Sequence, residues 1–278
     1  MKYRTGVAAI AGVLMMAACQ ANGAAPAAES ASLPPTAQAE IGEMREGSGI
    51  LNGYLGAQRL PDSAALLPPP PVEGSAAAMA DLEAYQTTRA LKDTPRWTQA
   101  QADNELKFPQ AIHSYSCALG VGITEEGAPH LYTLMRRTLT DAGFSTYRAK
   151  QMYQRTRPFA LLEEESCVPH EEEMLRGDGS YPSGHAALGW AWGLVLAELA
   201  PEKADALLQR GYEFAQSRMV CGVHWQSDVE AGRVMGAATV ARLHSDPVFL
   251  AQAKLAQAEI EAARTAGAVP EGCGAPEN

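Results

Sequence analysis

The sequence predicts an all-α fold, a single globular helical-bundle domain, and three observations predict it. Apolar residues recur at helical spacing in most segments beyond residue 74. No segment alternates apolar and polar residues as a half-buried strand does, and no Asn-Gly turn joins two such segments. Proline, serine and glycine stand where these helical segments begin or end.

Taken in order, "SAAAMADLEAYQTTRAL" starts from Ser75 and continues in strong helix formers. In "APHLYTLMRRTLTDAGF" the residues Leu131, Leu134, Met135 and Leu139 share one helical face, and Gly143 closes the pattern. "STYRAKQMYQRTRPF" reads as one helix from a serine cap to Pro158, a residue that disfavours helix before it. From Ala186 to Ala197 the chain is apolar apart from Gly189 and Gly193, a composition that suits a buried central helix. "PEKADALLQRGYEFAQSRMV" opens with Pro201 at a favoured first-turn position. Helix resumes through "SDVEAGRVMGAATVARLH", and "DPVFLAQAKLAQAEIEAARTAG" closes the domain.

The N-terminal part reads differently. Lys2 and Arg4 precede the short apolar run "GVAAIAGVLMMAA", which marks residues 1–19 as an export signal. That run is well below the roughly 20 residues a spanning helix needs. "MAAC" resembles a bacterial lipobox, so cleavage there leaves a lipid anchor at Cys19, whereas cleavage among the following alanines leaves a soluble protein. Residues 20–48, rich in Ala, Pro, Ser and Glu, read as a flexible tether, and 49–278 as the helical domain. The run Pro68–Pro71 favours an extended segment lying across the surface.

With 278 residues, the chain has ample material for a core. Its formal net charge of −10 argues against a nucleic-acid partner, so any bound anion must meet a local cluster of cations. Cys117, Cys167, Cys221 and Cys273 remain after the signal; in an exported chain they suggest up to two disulfides, with three connectivities open.

Three polar segments stand beside these apolar helices. In "KQMYQRTRP", Lys150 and Arg157 lie seven apart and would share a helical face. In "YPSGH", Pro182, Ser183, Gly184 and His185 form a turn at a helix N-terminus. In "SRMVCGVHWQSD", Ser217 and Arg218 precede His224 and Asp228, whose spacing of four lets carboxylate and imidazole meet on a helix. Each alone reads as a solvated face or a helix start. A phosphoryl group explains them together. Lys150, Arg157 and Arg218 supply cations, the helix start supplies free amides, Ser183 a hydroxyl, and Gly184 close backbone approach. Of the two histidines, one would attack phosphorus and the other protonate the leaving oxygen, with Asp228 orienting His224.

The order Lys150…Arg157-Pro158, Pro182-Ser183-Gly184-His185, Ser217-Arg218…His224…Asp228 resembles the signature of the type 2 phosphatidic acid phosphatase superfamily. "RRTLTDAG", "YQRTRPF", "DGSYPSGH" and "CGVHWQSDVEAGR" resemble its bacterial class A non-specific acid phosphatases. The resemblance covers roughly residues 50–260. It implies an all-helical fold, a periplasmic location and metal-independent hydrolysis of nucleotides, sugar phosphates and aryl phosphates, without a cofactor. It also implies a phosphohistidine on His224 with Asp228 as its partner, His185 as general acid, and Lys150, Arg157, Ser183, Gly184 and Arg218 on the phosphate oxygens. Related enzymes suggest a homo-oligomer, and the intermediate could also pass phosphate to alcohols.

Three rivals use the same residues. A vanadium-dependent haloperoxidase would hold vanadate in such a pocket. A metal hydrolase would use His185, His224 and Asp228 as ligands, though three cations would repel the ion. A membrane lipid phosphatase would need spans that the chain lacks. His113, His130, His170 and His244 fall outside the motif, and "RGD" at 176–178 reads as a loop leading into the site. The same chemistry predicts a rate maximum on the acidic side of neutrality, because one histidine must be charged while the other is neutral.

Overall fold

The computed structural model describes residues 1–2 and 33–273. The expected export signal, apart from Met1 and Lys2, falls outside the described residues, as do Cys19 and residues 20–32 of the predicted tether. From Leu33 the chain forms one compact unit.

Two short turns, α1 (Gln38–Ile41) and α2 (Ser63–Leu66), precede α3 (Ala76–Arg89), α4 (Pro95–Ala102) and α5 (His113–Leu119). The longer α6 (Pro129–Phe144) is followed by α7 (Tyr147–Tyr153), α8 (Pro158–Leu162) and α9 (Glu172–Arg176). Then come α10 (Gly184–Leu199), α11 (Ala204–Val220), α12 (Gln226–Leu243) and α13 (Pro247–Thr265). Among the described residues there is no strand, only an isolated bridge between Glu43 and Leu51.

Helix α10 is the axis of the bundle. It packs on α6, α11, α12 and α13, and its Leu188, Trp192 and Leu196 join Leu134, Phe214 and Phe249 in the main core. The helix is apolar all round because it is surrounded, and no described helix is long and apolar enough to cross a membrane. Two neighbours reach backbone contact with it. A Cβ at Gly236 of α12 would stand 2.4 Å from the Ala187 carbonyl oxygen, and one at Gly193 would stand 3.0 Å from that of Leu207 in α11. Any larger residue at Gly236 would push α12 off the axis.

Four helices, α2, α3, α10 and α13, start from a side-chain cap. Ser75 Oγ accepts from the Ala78 amide at 3.2 Å, Ser183 Oγ from Ala186 at 3.2 Å, and Asp246 Oδ1 from Val248 and Phe249 at 3.0 Å each. The proline run is extended, and the Tyr181 hydroxyl donates to the Pro68 carbonyl at 2.8 Å. Two disulfides form: Cys117 with Cys273, and Cys167 with Cys221.

Two expectations need correction. The helix expected across "STYRAKQMYQRTRPF" breaks: α7 ends at Tyr153, Gln154 takes a left-handed conformation (φ 42°), and α8 begins only at Pro158. Lys150 and Arg157 therefore do not share a helical face. The tether, placed at 20–48 by composition, docks from residue 33 onward. Pro34 is buried, Thr133 Oγ1 donates to the Thr36 carbonyl at 3.4 Å, and Arg136 donates to Gln38 Oε1 at 3.0 Å and to the Gly49 carbonyl at 2.8 Å. Side chains of α6 supply the partners that composition alone does not reveal.

Candidate active site

Four chain segments converge at the N-terminal end of α10. The first is the stretch between α7 and α8. Its break lets Lys150 and Arg157 approach one point from different directions. Lys150 Nζ donates to the Gly179 carbonyl at 2.5 Å and lies 3.2 Å from Asp178 Oδ2. Arg157 Nη2 reaches the same Oδ2 at 2.9 Å, while its Nε donates to the Leu175 and Asp178 carbonyls at 2.9 and 3.0 Å. Both cations are buried.

The second is the loop from α11 to α12. Arg89 caps the end of α11 through the Met219 and Val220 carbonyls at 2.9 and 2.7 Å. Gly222 turns at φ 84°, and the Cys167–Cys221 bond fixes the turn to the 167 loop. His224 follows, just before α12 rather than on it. Asp228 is the third residue of α12, and its Oδ2 accepts from the Trp225 amide at 2.9 Å and lies 3.3 Å from His224 Nδ1. The spacing of four thus works through a helix cap.

His224 has a defined tautomer. Arg157 Nη1 sits 3.0 Å from Nε2, and a guanidinium can only donate. Nε2 is therefore the bare acceptor, and the proton is on Nδ1, facing Asp228. Burial, then Arg157, Lys150 and Arg218, hold the His224 pKa well below the ordinary value, which favours the neutral ring. Burial raises the Asp228 carboxyl, and Arg155 draws it back. Arg155 Nη1 donates to Asp228 Oδ1 at 2.6 Å, and its Nη2 to Asp81 Oδ2 at 2.7 Å. Asp81 in turn accepts from the Ser227 amide at 2.8 Å and hydroxyl at 2.6 Å.

The third segment is the start of α10. Ser183 is fully buried as its N-cap, with its amide on the Asp228 carbonyl at 2.9 Å. Its hydroxyl oxygen accepts from the Ala186 amide and so caps the helix, a bond that leaves the O–H proton free to donate. The amides of Gly184 and His185 lie in the first turn, where no intrahelical acceptor exists. A Cβ at Gly184 would meet only ordinary contacts, the nearest Thr146 Oγ1 at 3.6 Å. Packing therefore does not demand glycine here; what glycine leaves is room over the helix start.

The fourth is the residue pair after α4. Asp103 accepts from the Ser217 hydroxyl at 2.5 Å and pairs with Arg210, which anchors the loop. Asn104 then touches two site residues. Its Oδ1 accepts from Arg218 Nη1 at 2.8 Å, and its carbonyl lies 3.2 Å from His185 Nε2. Burial, then Arg218, lower the His185 pKa well below its ordinary value, against the Asn104 carbonyl. Burial also lowers the Lys150 pKa, to about 8, aided by Arg157 and opposed by Asp178.

One cavity of about 240 Å³ is lined by Lys150, Arg157, Gly184, His185, Arg218 and His224. Asp228 stands behind His224, and Ser183 beneath the helix start. Sequence reasoning missed Asp81, Asn104, Arg155 and Asp178. Of these, Arg155 and Asp178 stood inside quoted motifs, but nothing in a motif says where a side chain will point. Among the described residues, only His113, Cys117 and Cys273 lie close enough to share an ion, and those cysteines are bonded to each other.

A buried neutral histidine with a bare ring nitrogen, backed by a carboxylate and facing three cations at a helix start, is a phosphoryl-transfer geometry. The family model that matches is described as the PAP2 superfamily, over residues 130–249. A non-specific acid phosphatase of Providencia stuartii is 44% identical over 207 residues, covering 74% of this chain and 84% of that protein. One from Salmonella typhimurium is 45% identical over 184 residues, covering 66% and 74%. An acid phosphatase of Zymomonas mobilis is 40% identical over 205 residues, covering 74% and 78%. A solved bacterial vanadium-dependent iodoperoxidase aligns with a TM-score of 0.48 at 17% identity, over 65% of this chain and 52% of that one. The chain belongs to the PAP2 superfamily. Within it, the chain is a phosphomonoesterase of the non-specific acid phosphatase group.

Proposed function

We propose that this chain is an exported, periplasmic acid phosphatase that hydrolyses a broad range of phosphate monoesters through a phosphohistidine on His224, without a metal ion. The observation that carries the reading is the His224 ring: Nδ1–H on Asp228 and a bare Nε2 turned toward the Arg157 guanidinium.

A phosphate entering between Nε2 and Arg157 would take over the guanidinium donor, while the Leu175, Asp178 and Val223 carbonyls keep Arg157 in place. Lys150, Arg218 and the first-turn amides of α10 supply the remaining oxygen contacts. The Nε2 lone pair forms the N–P bond as the ester P–O bond breaks, and the leaving oxygen takes a proton from His185. Asp228 balances the positive charge that the phosphorylated ring acquires. Water then attacks phosphorus, gives a proton to His185, and the N–P electron pair returns to Nε2. An alcohol in place of water gives phosphotransfer.

The proton economy favours acid. Burial and the neighbouring cations favour the neutral form of both histidines. A phosphate monoester loses its second proton near pH 6, so the monoanion carries in the proton that His185 needs, and the added negative charge raises that ring's affinity for it. Above about 8 Lys150 also loses its charge. Metal independence is supported by the same cations, which repel a second positive ion from His224. The export signal expected from the sequence of residues 1–19 supports the periplasmic location.

Turnover of an aryl phosphate across pH, with and without excess chelator, tests this. The expected result is a maximum below pH 7, decline above pH 8 and no chelator effect. Activity that chelator abolishes and zinc restores, or a rate still climbing above pH 8, would overturn it.

A further inference from the structure

The catalytic cavity does not end at the phosphate site. Apart from the groups already assigned and Asp178, its lining is apolar or glycine, with the Tyr147 hydroxyl as the one polar exception. A second cavity of about 430 Å³ shares three of its walls, Ile50, Leu106 and Leu139, and continues outward to a more polar lining that includes Gln38, Lys107, Glu125 and Arg136. At the rim of the inner cavity, Ile50, Tyr147 and Met174 are 38%, 42% and 63% exposed, and the Phe144 and Tyr147 rings stack at 5.2 Å. A monoester placed with phosphorus at His224 must lay its leaving group along these walls.

One wall comes from the N-terminal arm. Ile50 is held by its carbonyl, which accepts from the Met44 amide at 2.9 Å, and by the adjoining Glu43–Leu51 bridge. Its neighbours are tied to α6: the Leu51 carbonyl accepts from Thr140 Oγ1 at 2.7 Å, and that of Gly49 from Arg136 at 2.8 Å. The arm is therefore a fixed wall of the cleft.

We propose that the arm, α6, the α6–α7 corner and Met174 of α9 form a leaving-group subsite for apolar, aryl alcohols, and that small polyhydroxy leaving groups are the poorer substrates of this enzyme. This rests on the phosphatase reading above and deepens it. The physical basis is a difference in desolvation. An aryl ring buries apolar area against apolar walls. A glycerol or sugar moiety would bring several hydroxyls against walls where, beyond the phosphate-binding groups, only the Tyr147 hydroxyl and Asp178 could pair with them.

Non-hydrolysable phosphonates separate this binding from leaving-group reactivity. Inhibition of aryl phosphate turnover by naphthylmethylphosphonate is expected to be about thirtyfold tighter than by methylphosphonate. The ratio is expected to fall below about fivefold in Ile50→Ser/Met174→Ser. Both substituted residues are partly exposed, so the variant keeps its core. Equal inhibition by the two phosphonates, or a ratio unmoved by the double substitution, overturns the subsite and leaves the phosphatase standing. Absence of turnover on any phosphomonoester overturns both.

Discussion

The two ends of α10 are built on opposite principles. Its last three turns, from Leu188 to Leu199, are locked among Leu134, Phe214, Phe249 and Ile260. Its N-terminal end meets Lys150, Arg157, Arg218, Arg155, Asp81 and Asp228, all buried except Arg155, which is mostly so. Burying these charges costs free energy that pairing only partly offsets. The apolar end provides the rigidity that the charged end requires. A helix anchored at one end can present a fixed ring of donors at the other, and the cations around it are held in place by Asp178, on Lys150 and Arg157, and by Asn104, on Arg218.

This contrast can be broken most severely at Arg155. Arg155→Met leaves Asp228 and Asp81 buried without their cation. Stability is expected to fall by about 3–5 kcal/mol. The activity of the molecules that remain folded should drop roughly a hundredfold, because an Asp228 that takes up a proton no longer orients His224. Arg155→Lys should recover part of the rate and shift the acid limb of the pH profile upward relative to wild type. Thermal unfolding and a kcat–pH series measure both. An unchanged acid limb in the lysine variant would contradict this role.

A smaller break is the disulfide beside His224. Replacing Cys167 and Cys221 together by alanine should cost about 4 kcal/mol on a chain-entropy basis and also lower kcat, since the bond fixes the turn that carries His224. A loss of melting temperature with kcat intact would separate the bond from the site. The smallest effect on catalysis is expected at the apolar end. Leu196→Ala should cost about 3 kcal/mol of stability and leave the kcat of folded enzyme unchanged. A large kcat loss there would show that the two ends are not separable.

The same contrast explains what was legible in the sequence. Helical spacing in "PHLYTLMRRTLTDAGF" and the apolar run of α10 report burial directly, so the bundle could be read from periodicity. The break after Tyr153 could not, because Gln154 carries no mark of a left-handed residue. Lys150, Arg157, His185, Arg218, His224 and Asp228, singled out by residue type and motif order, come together at one cavity, although the helical spacing expected to pair Lys150 with Arg157 is broken. Their supports were not legible. Arg155 meets a carboxylate 73 residues away, and Asn104 reaches His185 and Arg218 across 81 and 114 residues. Such pairings are set by how the helices pack, and no local pattern encodes them. The docked arm is a similar case: its composition suits a tether, and its partners lie on α6.

The central claim is that His224 Nε2 accepts the phosphoryl group, and trapping that adduct tests it most directly. The enzyme is mixed with a labelled phosphomonoester during turnover and denatured in alkali, which preserves an N–P bond, and the protein is mapped by mass spectrometry. The account predicts label on His224 alone, and none in Asp228→Ala or His224→Ala beyond background. Label on another residue, or turnover with no protein-bound phosphate at any time, would contradict it.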